Sequence, residues 1–470
     1  MPDIDFFDDE HVEESWNLSR TLHALQPHAN NPVLRPTEPW ESLLCAYGSV
    51  LRDDQQYRAY YTLWWLDPRA PFGCNAEAMA YAFSHDGIHW TKPDLGLIEQ
   101  VNGGRNNLIH YGRYADQPCV LRLAEVRDDK QYVMLYYGDF PPLGSGVRVC
   151  YSSDGIRWEW PGEMLWQTHV DRFASEIDFF AADDTLTCYF DAIARKYVIL
   201  RKVMQEDGLC PASERKGNWS PDRFRARRVI ARAESSDLKT LDDVRIVLAP
   251  DRDDPPGVDF HRLCVVPFRQ RYLGLLEIHN GIEGVNSVDV ELVYSRCGKN
   301  WVRVGRWQGP FIPRGSAGTW NEGVVFTPSG GICFDTRTYL YYGGMQARLQ
   351  AESLANCQNS GIGLSEFFPE RLCSLRSLAG HPGLLMTKPV RINESIAINS
   401  QAVDAESLRV ALLDSDRKCV DGFDWDSCDQ IPANAFDVPI TWNQQSRIPP
   451  GDYRIGVRSA GADLFSFTIR

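Results

Sequence analysis

The sequence lacks several features that mark large classes of protein. No apolar run reaches the ~18 residues that a membrane-spanning helix needs, and no stretch keeps the 3.6-residue apolar period of an amphipathic helix over several turns. The 49 Lys and Arg residues are outnumbered by 63 Asp and Glu, which gives a formal charge of −14. Nucleic acids and anionic membranes bind clustered cations, so we expect neither as a partner.

Signals for metals, phosphate loops and disulfides are also missing. The 13 cysteines are scattered, odd in number and free of C-x-x-C pairs, and the ten histidines show no ligand spacing. The NGGRNN stretch at 102–107 lacks the order of a glycine-rich phosphate loop. We therefore expect no cofactor, although a structural Ca²⁺ or Na⁺ would suit the many acids. The N-terminus carries acids where an export signal would carry bases, and with the free thiols this favours a cytoplasmic location.

A repeated motif organises the chain. The stretch Ser84–Trp90 (SHDGIHW) returns as Ser152–Trp158 (SSDGIRW) and, more loosely, as Ser295–Trp301 (SRCGKNW), with a shortened copy at Ser235–Leu238. Similarity at a near-fixed period indicates a repeat architecture. Because Asp-Gly favours tight turns between strands, each copy predicts a β-hairpin turn followed by a packed Trp.

Five units of the same strand pattern can be traced around these turns. Each contains a first strand, a polar turn, a Tyr-led second strand and a third strand, and the turns RDDQQY and RDDKQY of the first two units are close copies. The first strands are expected at Leu43–Leu51, Cys119–Val126, Cys188–Phe190, Leu263–Phe268 and Val324–Pro328.

Single sheets of this kind cannot bury both faces, whereas radial packing around an axis does so. We therefore predict an all-β fold with a five-bladed β-propeller within residues 1–382, with the blades at about 28–380. A linear β-solenoid is the alternative, but it would have shorter repeats. About eight short alternating runs in 383–470 predict a small β-sandwich, for which we favour a role in packing and in forming a homo-oligomer.

The start of each predicted inner strand carries an acid. In a propeller these starts surround one mouth of the central channel, and carboxylates crowded there would differ in pKa. Glycosidic bond cleavage needs such a pair, with one carboxylic acid to protonate the leaving oxygen and one carboxylate to attack or to activate water. Flat side chains at the same positions would suit a sugar ring. The candidates are Trp40 and Glu41, Asp116, Asp183 and Asp184, Asp259 and His261, and Trp320 with Glu322.

The run from Tyr81 to Asn107, with NPVL at Asn31–Leu34, PWE at Pro39–Glu41 and the Asn106-Asn107 pair, resembles glycoside hydrolases of the five-bladed propeller superfamily, the relatives of families 32, 43 and 68. This resemblance implies a fructoside, arabinoside or xyloside substrate and catalytic acids at Glu41, Asp116 and Asp184. The NDPNG, RDP and EC signatures of family 32 are absent, and Glu41 stands where Asp is usual.

Our sequence-based assignment makes Asp184 and either Glu41 or Glu322 the acid–base pair. Asp116 and Asp259 would hold sugar hydroxyls or tune pKa values, and Arg201 would stabilise a carboxylate or bind an anionic group. Two alternatives stay open. One is a phosphorylase or transglycosidase that uses the same pocket, and the other is a non-catalytic sugar-binding propeller.

Overall fold

The computed structural model describes residues 4–53, 56–66, 74–112, 115–127, 130–140, 142–167, 181–206, 226–268, 270–281, 285–334, 338–349, 354, 356–377 and 381–470. These residues are almost entirely β-strands, joined by turns and two 3-10 helices at Asn102–Gly104 and Pro369–Arg371. The prediction of an all-β chain is confirmed.

The strands are numbered in chain order. The N-terminal strands are β1 (Ile4–Asp5), β2 (Val12–Trp16) and β3 (Leu18–Leu22). The next ten are β4 (Leu43–Asp53), β5 (Gln56–Leu66), β6 (Cys74–Ser84), β7 (Leu108–Tyr111), β8 (Ala115–Arg127), β9 (Lys130–Asp139), β10 (Ser145–Ser152), β11 (Glu163–Gln167), β12 (Ala181–Asp191) and β13 (Lys196–Glu206). They are followed by β14 (Ala226–Ser235), β15 (Asp242–Leu248), β16 (Val258–Phe268), β17 (Arg271–Asn280), β18 (Ser287–Ser295), β19 (Val302–Val304), β20 (Val324–Phe326), β21 (Ile332–Phe334), β22 (Thr338–Met345) and β23 (Ser360–Phe367). The last eight are β24 (Cys373–Ser377), β25 (Gly383–Thr387), β26 (Val390–Ile392), β27 (Ile396–Ala402), β28 (Leu408–Leu413), β29 (Asn434–Pro439), β30 (Gly451–Ser459) and β31 (Ala462–Ile469).

The chain divides into two compact units. The central unit comprises Leu25–Arg303 and Pro310–Phe367, and the terminal unit comprises Met1–Ala24, Val304–Gly309 and Phe368–Arg470. The boundary predicted from the sequence lies at 382/383 and places residues 1–24 in the first domain. The difference arises because β1 pairs with β31, β2 with β25 and β3 with β24, so the N-terminal strands complete sheets that are built mostly from the C-terminal residues.

The central unit repeats one sheet design. Three antiparallel sheets follow one another along the chain in the orders β4–β5–β6–β7, β8–β9–β10–β11 and β12–β13–β14–β15. A larger sheet then runs β16–β17–β18–β20–β22–β21, with β23 on β22. Within it, one parallel residue pair, Val288 with Val324, connects the β16–β18 meander to the strands after it. Strands such as β16 are buried from Val258 to Val266 because their sheets are covered on both faces.

Buried polar groups connect the first strand of each sheet to the next. The Ser49 hydroxyl of β4 donates to Pro118 O of β8 at 2.8 Å, and Cys188 N of β12 donates to Cys119 Sγ of β8 at 3.1 Å. Thr187 Oγ1 of β12 donates to Leu263 O of β16 at 2.6 Å. The circuit returns to β4 through Ser329, whose amide donates to Gly48 O at 2.8 Å and whose hydroxyl accepts from Arg262 of β16 at 3.0 Å.

The repeated turns have one conformation and fasten neighbouring sheets together. In the first copy, Asp86 Oδ1 accepts from the amides of Ile88 and His89 at 2.8 Å each, and Asp154 does the same with Ile156 and Arg157 in the second. Each turn glycine then contacts a neighbouring sheet. A Cβ on the glycine would lie 2.4 Å from Tyr341 Oη at Gly87, 2.7 Å from Tyr60 Oη at Gly155 and 2.9 Å from Tyr189 Oη at Gly298. The recurrence of the motif along the chain therefore follows from close packing between sheets.

The terminal unit contains two antiparallel sheets with a shared core. One runs β29–β27–β31–β24–β3 with β1 on β31, and the other runs β2–β25–β30–β26 with β28 on β30. A single buried cluster joins Ile398 and Phe467 of the first sheet with Val410 and Ile455 of the second. Among the described residues, no helix is long and apolar enough to cross a membrane.

Candidate active site

The first strand of each of the four sheets in the central unit has an irregular register near its start. The register shifts between Cys45 and Gly48 in β4, Asp116 and Cys119 in β8, Ala182 and Leu186 in β12, and Phe260 and Arg262 in β16. A β-bulge bends the strand and re-aims side chains, and bulges are frequent beside active sites. The residues at these four bulges, Tyr47, Asp116 with Gln117, Asp184 and His261, form the centre of the candidate site.

Asp116 is buried and has an unusual protonation equilibrium. It is 8% exposed and accepts a hydrogen bond from Thr62 Oγ1 at 2.8 Å. Burial, followed by the charge of Asp184, raises the pKa of Asp116 from 3.8 to about 7, against the lowering effects of Thr62 and the Gln117 amide. Asp116 is therefore largely a protonated carboxylic acid in mildly acidic solution.

Gln117 is held in a strained backbone conformation beside Asp116. Its φ is 61°, a left-handed value that is uncommon for residues with a side chain and often accompanies functional sites. Gln117 is fully buried, and neither amide atom of its side chain has a hydrogen-bond partner within the described part of the chain. The side-chain amide therefore has unused hydrogen-bonding capacity beside Asp116.

Asp184 and Lys202 form an ion pair at the edge of the group. Lys202 Nζ lies 2.7 Å from Asp184 Oδ1, with the Lys202 side chain 3% exposed and the Asp184 side chain 35% exposed. The buried ammonium thus holds a carboxylate that solvent can still reach. Asp116 and Asp184 thus differ in environment, because one is a buried acid and the other an accessible, ion-paired carboxylate.

A second buried carboxyl group lies next to His261. Glu277 Oε1 accepts from the amide and the hydroxyl of Thr327 at 2.7 and 2.9 Å, and Oε2 lies 3.3 Å from His261 Nδ1. Burial raises the pKa of Glu277 to about 7. Burial, and then the charges of Lys202 and Arg228, lower the pKa of His261 well below its ordinary value. His261 is therefore a neutral imidazole, stacked on Tyr47 at 5.8 Å between ring centroids.

Asp259 completes this side of the group. It is 8% exposed and accepts a hydrogen bond from the Arg228 amide at 3.1 Å. The Arg228 guanidinium in turn lies 3.4 Å from His279 Nδ1, and burial, with Arg228 and Lys202, lowers the pKa of His279. The structure thus brings together four predicted residues: Asp116, Asp184, Asp259 and His261.

Glu41 lies on the other face of the first sheet. Tyr61 and Thr62 are consecutive in β5, so their side chains point to opposite faces. Thr62 donates to Asp116, whereas Tyr61 donates to Glu41 Oε1 at 2.8 Å. Glu41 Oε2 accepts from two loop amides and from Lys92. This carboxylate has no exposed surface, and its contacts are those of a structural anchor for the loop before β4.

Arg201 lies on the opposite face of its sheet from the candidate site, because consecutive side chains in a strand point to opposite faces. It precedes Lys202 in β13, and its guanidinium donates to Trp166 O at 2.8 Å and lies 5.5 Å from the centroid of the Trp166 ring. The cation beside Asp184 is therefore the next residue in the chain, Lys202.

The remaining predicted residues with described side chains lie outside the group around Asp116. Trp40 is buried and donates through Nε1 to Asn107 Oδ1 at 2.9 Å. Glu322 accepts from the Gly318 amide at 2.7 Å and thereby closes the loop that carries Trp320. The Asp183 side chain lies outside the described residues.

The sequence analysis missed Lys202, Glu277, Tyr47 and Thr62. Glu277 had a usable signal, since it interrupts the apolar run Leu273–Ile278, and a buried acid in such a run needs a partner or a function. Lys202 is likewise a charge inside a hydrophobic strand. Tyr47 and Thr62 do not stand out from other strand residues.

Metal and serine-hydrolase chemistry have little support in the described residues. They contain no group of three or more His, Cys, Asp or Glu side chains placed to hold a metal ion. In the terminal unit, His23 Nε2 lies 2.9 Å from Ser374 Oγ, and Ser374 donates to Asp463 at 2.6 Å. Because the carboxylate binds the serine and not the far nitrogen of the imidazole, this group lacks the order of a serine-hydrolase triad.

Comparison with known proteins gives a likeness of fold. No protein-family model matches the sequence, and no curated protein matches it. A solved BT0996–RGII complex is 13% identical over 74% of this chain and 93% of the protein compared, with a TM-score of 0.50. A glycosyl hydrolase from Bacteroides ovatus is 15% identical over 75% and 95% (TM-score 0.47), and a thermostable family-43 glycoside hydrolase is 13% identical over 72% and 95% (TM-score 0.42). These likenesses are of fold alone, and two of the three proteins compared are named as glycoside hydrolases.

Proposed function

We propose that this protein is a glycosidase whose central unit is a five-bladed β-propeller and whose terminal unit is a β-sandwich. The closed circuit of contacts among the first strands supports the propeller. The single parallel residue pair between β18 and β20 suits a division of the larger sheet into two blades. The two sheets around one core support the sandwich.

The observation that carries the proposed reaction is the unequal pair Asp116 and Asp184. Asp116 has a pKa of about 7 and can be protonated, whereas Asp184 forms an ion pair with Lys202 at 2.7 Å. Glycoside hydrolysis needs one carboxyl group in each state. The pair is formed by two strand starts and does not depend on any flexible side chain reaching across the site.

In the proposed mechanism Asp116 gives its proton to the glycosidic oxygen as the bond from this oxygen to the anomeric carbon breaks. Asp184 either accepts a proton from the attacking water or bonds to the anomeric carbon, in which case water releases the sugar in a second step. This proposal keeps Asp184 from our sequence-based assignment. It gives the acid role to Asp116 because Glu41 and Glu322 are occupied elsewhere.

The neighbouring residues would orient the substrate. His261 is neutral and can exchange hydrogen bonds with sugar hydroxyls, and Asp259 and the Gln117 amide can do the same. Glu277 would hold the segment that follows β20 through Thr327. Lys202 is a positioning residue, since it acts through Asp184.

Phosphorolysis is the second candidate, and the cations of the site favour it. Lys202, Arg228 and Arg262 all lie close enough to affect the pKa of His261, and a phosphorylase needs cations of this kind to hold phosphate in place of water. The same carboxyl pair would serve either reaction, with Asp116 as the acid.

Turnover of a panel of aryl glycosides and oligosaccharides, with and without inorganic phosphate, tests the proposal. We expect the wild-type protein to release sugar from at least one substrate, and Asp184→Asn to reduce the rate by about 10²–10⁴-fold while the protein remains folded. A rate that requires phosphate would select the phosphorylase. Wild-type turnover by Asp184→Asn would exclude both reactions as written.

A further inference from the structure

A polar cleft lies in the central unit, apart from the carboxyl pair. It has a volume of about 360 Å³ and is lined by the 31–36 segment, the 318–320 loop and residues 358–360. Of its ten lining residues Arg35 alone is charged, and Trp320 alone is aromatic. The amides of Asn31, Gln358 and Asn359 supply further hydrogen-bonding groups.

The aromatic wall of the cleft is fixed in position. The Trp320 indole stacks on Tyr342 with ring centroids 5.8 Å apart and an interplanar angle of 24°. Gly344 and Gly363 make room for it, because a Cβ at either residue would lie within 2.9 Å of the indole. A half-buried, preorganised indole beside polar groups is typical of a surface on which a sugar ring packs.

The cation of the cleft is also held in place. Arg35 Nε donates to Pro32 O at 3.1 Å and Nη2 makes a longer contact to Asn31 O at 3.5 Å, while Lys92 donates to the Arg35 carbonyl at 2.6 Å. These contacts leave the N–H groups of Nη1 and the second N–H of Nη2 for a ligand, and the side chain is exposed. A guanidinium presents two parallel N–H groups to a carboxylate. Arg35 is the one charged residue in the lining of the cleft, and this cation favours an anionic ligand.

The cleft adjoins the strand that carries one residue of the proposed active site. Ser360, in the cleft, accepts a hydrogen bond from the Leu44 amide of β4 at 2.9 Å. Tyr47, which stacks on His261, lies three residues further along β4, so the cleft and the proposed active site both contact this strand.

We propose that this cleft is a binding subsite for a carboxylate-bearing sugar, namely a uronic acid unit of an oligosaccharide whose cleaved bond lies at Asp116 and Asp184. The sugar ring packs on Trp320 and its carboxylate pairs with Arg35. The position of the cleaved bond at Asp116 and Asp184 rests on the proposed function. The binding of a uronic acid in the cleft does not, because occupancy of the cleft does not require turnover.

Binding should be measured by calorimetry on the full-length Asp184→Asn protein, so that no probe is consumed. The probes are galacturonosyl and glucuronosyl disaccharides, the neutral disaccharides of the same linkages, and inorganic phosphate. We expect at least one uronic acid disaccharide to bind more tightly than its neutral counterpart. Arg35→Gln should weaken that binding about 10- to 100-fold and should leave the neutral sugar unaffected, and Trp320→Ala should weaken both.

Two matched variants control for surface changes. Arg105→Gln removes an exposed arginine that is not in the cleft, and Trp307→Ala removes an indole that is 71% exposed; both should bind as the parent does. Equal binding of acidic and neutral sugars, or no effect of Arg35→Gln in a folded protein, would overturn the proposal. Arg35-dependent binding of phosphate without binding of uronic acids would overturn it as well. Uronic acid binding without any glycoside turnover would sustain the subsite and reject the proposed function.

Discussion

Replacing Asp116 with asparagine should change how the stability of the protein depends on pH. In the folded protein, burial and the charge of Asp184 raise the pKa of Asp116 from 3.8 to about 7. The unfolded chain has the ordinary value, so between these two pH values the folded state binds more protons. Stability contributed by such a group is complete below its unfolded pKa and is lost as pH rises through the folded pKa.

The size of the effect follows from the two pKa values. Each unit of difference corresponds to about 1.36 kcal/mol, so wild-type protein should lose about 4 kcal/mol relative to Asp116→Asn as pH rises from about 4 to above 7. The asparagine keeps the shape of the side chain and can still accept the hydrogen bond from Thr62. The variant should therefore become progressively more stable than wild type towards neutral pH.

The measurement is denaturant unfolding of both proteins at intervals between pH 4 and pH 8. Subtracting the two free energies of unfolding cancels the contributions of the titrating groups that both proteins share, including Glu277. Infrared difference spectra should show the carboxylic acid band of Asp116 disappearing with a midpoint near pH 7. Asp404→Asn is a control of opposite sign. Hydrogen bonds from the Ser407 hydroxyl and the Glu406 amide hold the pKa of Asp404 below its ordinary value. Its contribution is lost only in stronger acid, so its difference curve should be flat from pH 5 to pH 8. A flat curve for Asp116→Asn as well would refute the reasoning.

Two further predictions concern the turns and the ion pair. Gly155→Ala should cost about 2–4 kcal/mol in the free energy of unfolding, since Gly155 has φ 76° and its Cβ would lie 2.7 Å from Tyr60 Oη. Gly103→Ala, with φ 60° and nothing within 4 Å, should cost only about 1 kcal/mol, and equal losses would reject the close packing between sheets. Lys202→Met should lower the glycosidase rate and Lys202→Arg, which keeps the cation, should retain most of it, because the Lys202 ammonium holds the Asp184 carboxylate at 2.7 Å; equal losses in the two variants would reject this positioning role.

The internal repeat made the strand pattern of the central unit readable from the sequence. The Asp-Gly turns and Tyr-led strands located most strands of the repeated sheets. The acids predicted at the strand starts include Asp116 and Asp184, which lie close enough for the charge of Asp184 to raise the pKa of Asp116.

The face on which each side chain lies could not be read in the same way. Arg201 and Lys202 are adjacent charged residues, and the β-bulges near the strand starts shift the alternation by one residue without any mark in the sequence. Glu41 precedes β4, where no alternation applies. The N-terminal strands were also unpredictable, because β1 pairs with β31 across more than 460 residues, and such pairing leaves no local signal.

Leaving-group dependence in Asp116→Asn tests the central claim most directly. An alkyl glycoside needs its leaving oxygen protonated, whereas a dinitrophenyl glycoside leaves without help. If Asp116 is the proton donor, the variant should lose about 10²–10⁴-fold in kcat/KM on the alkyl glycoside and little on the dinitrophenyl glycoside. Equal losses on both substrates, or no loss on either, would contradict the role of Asp116.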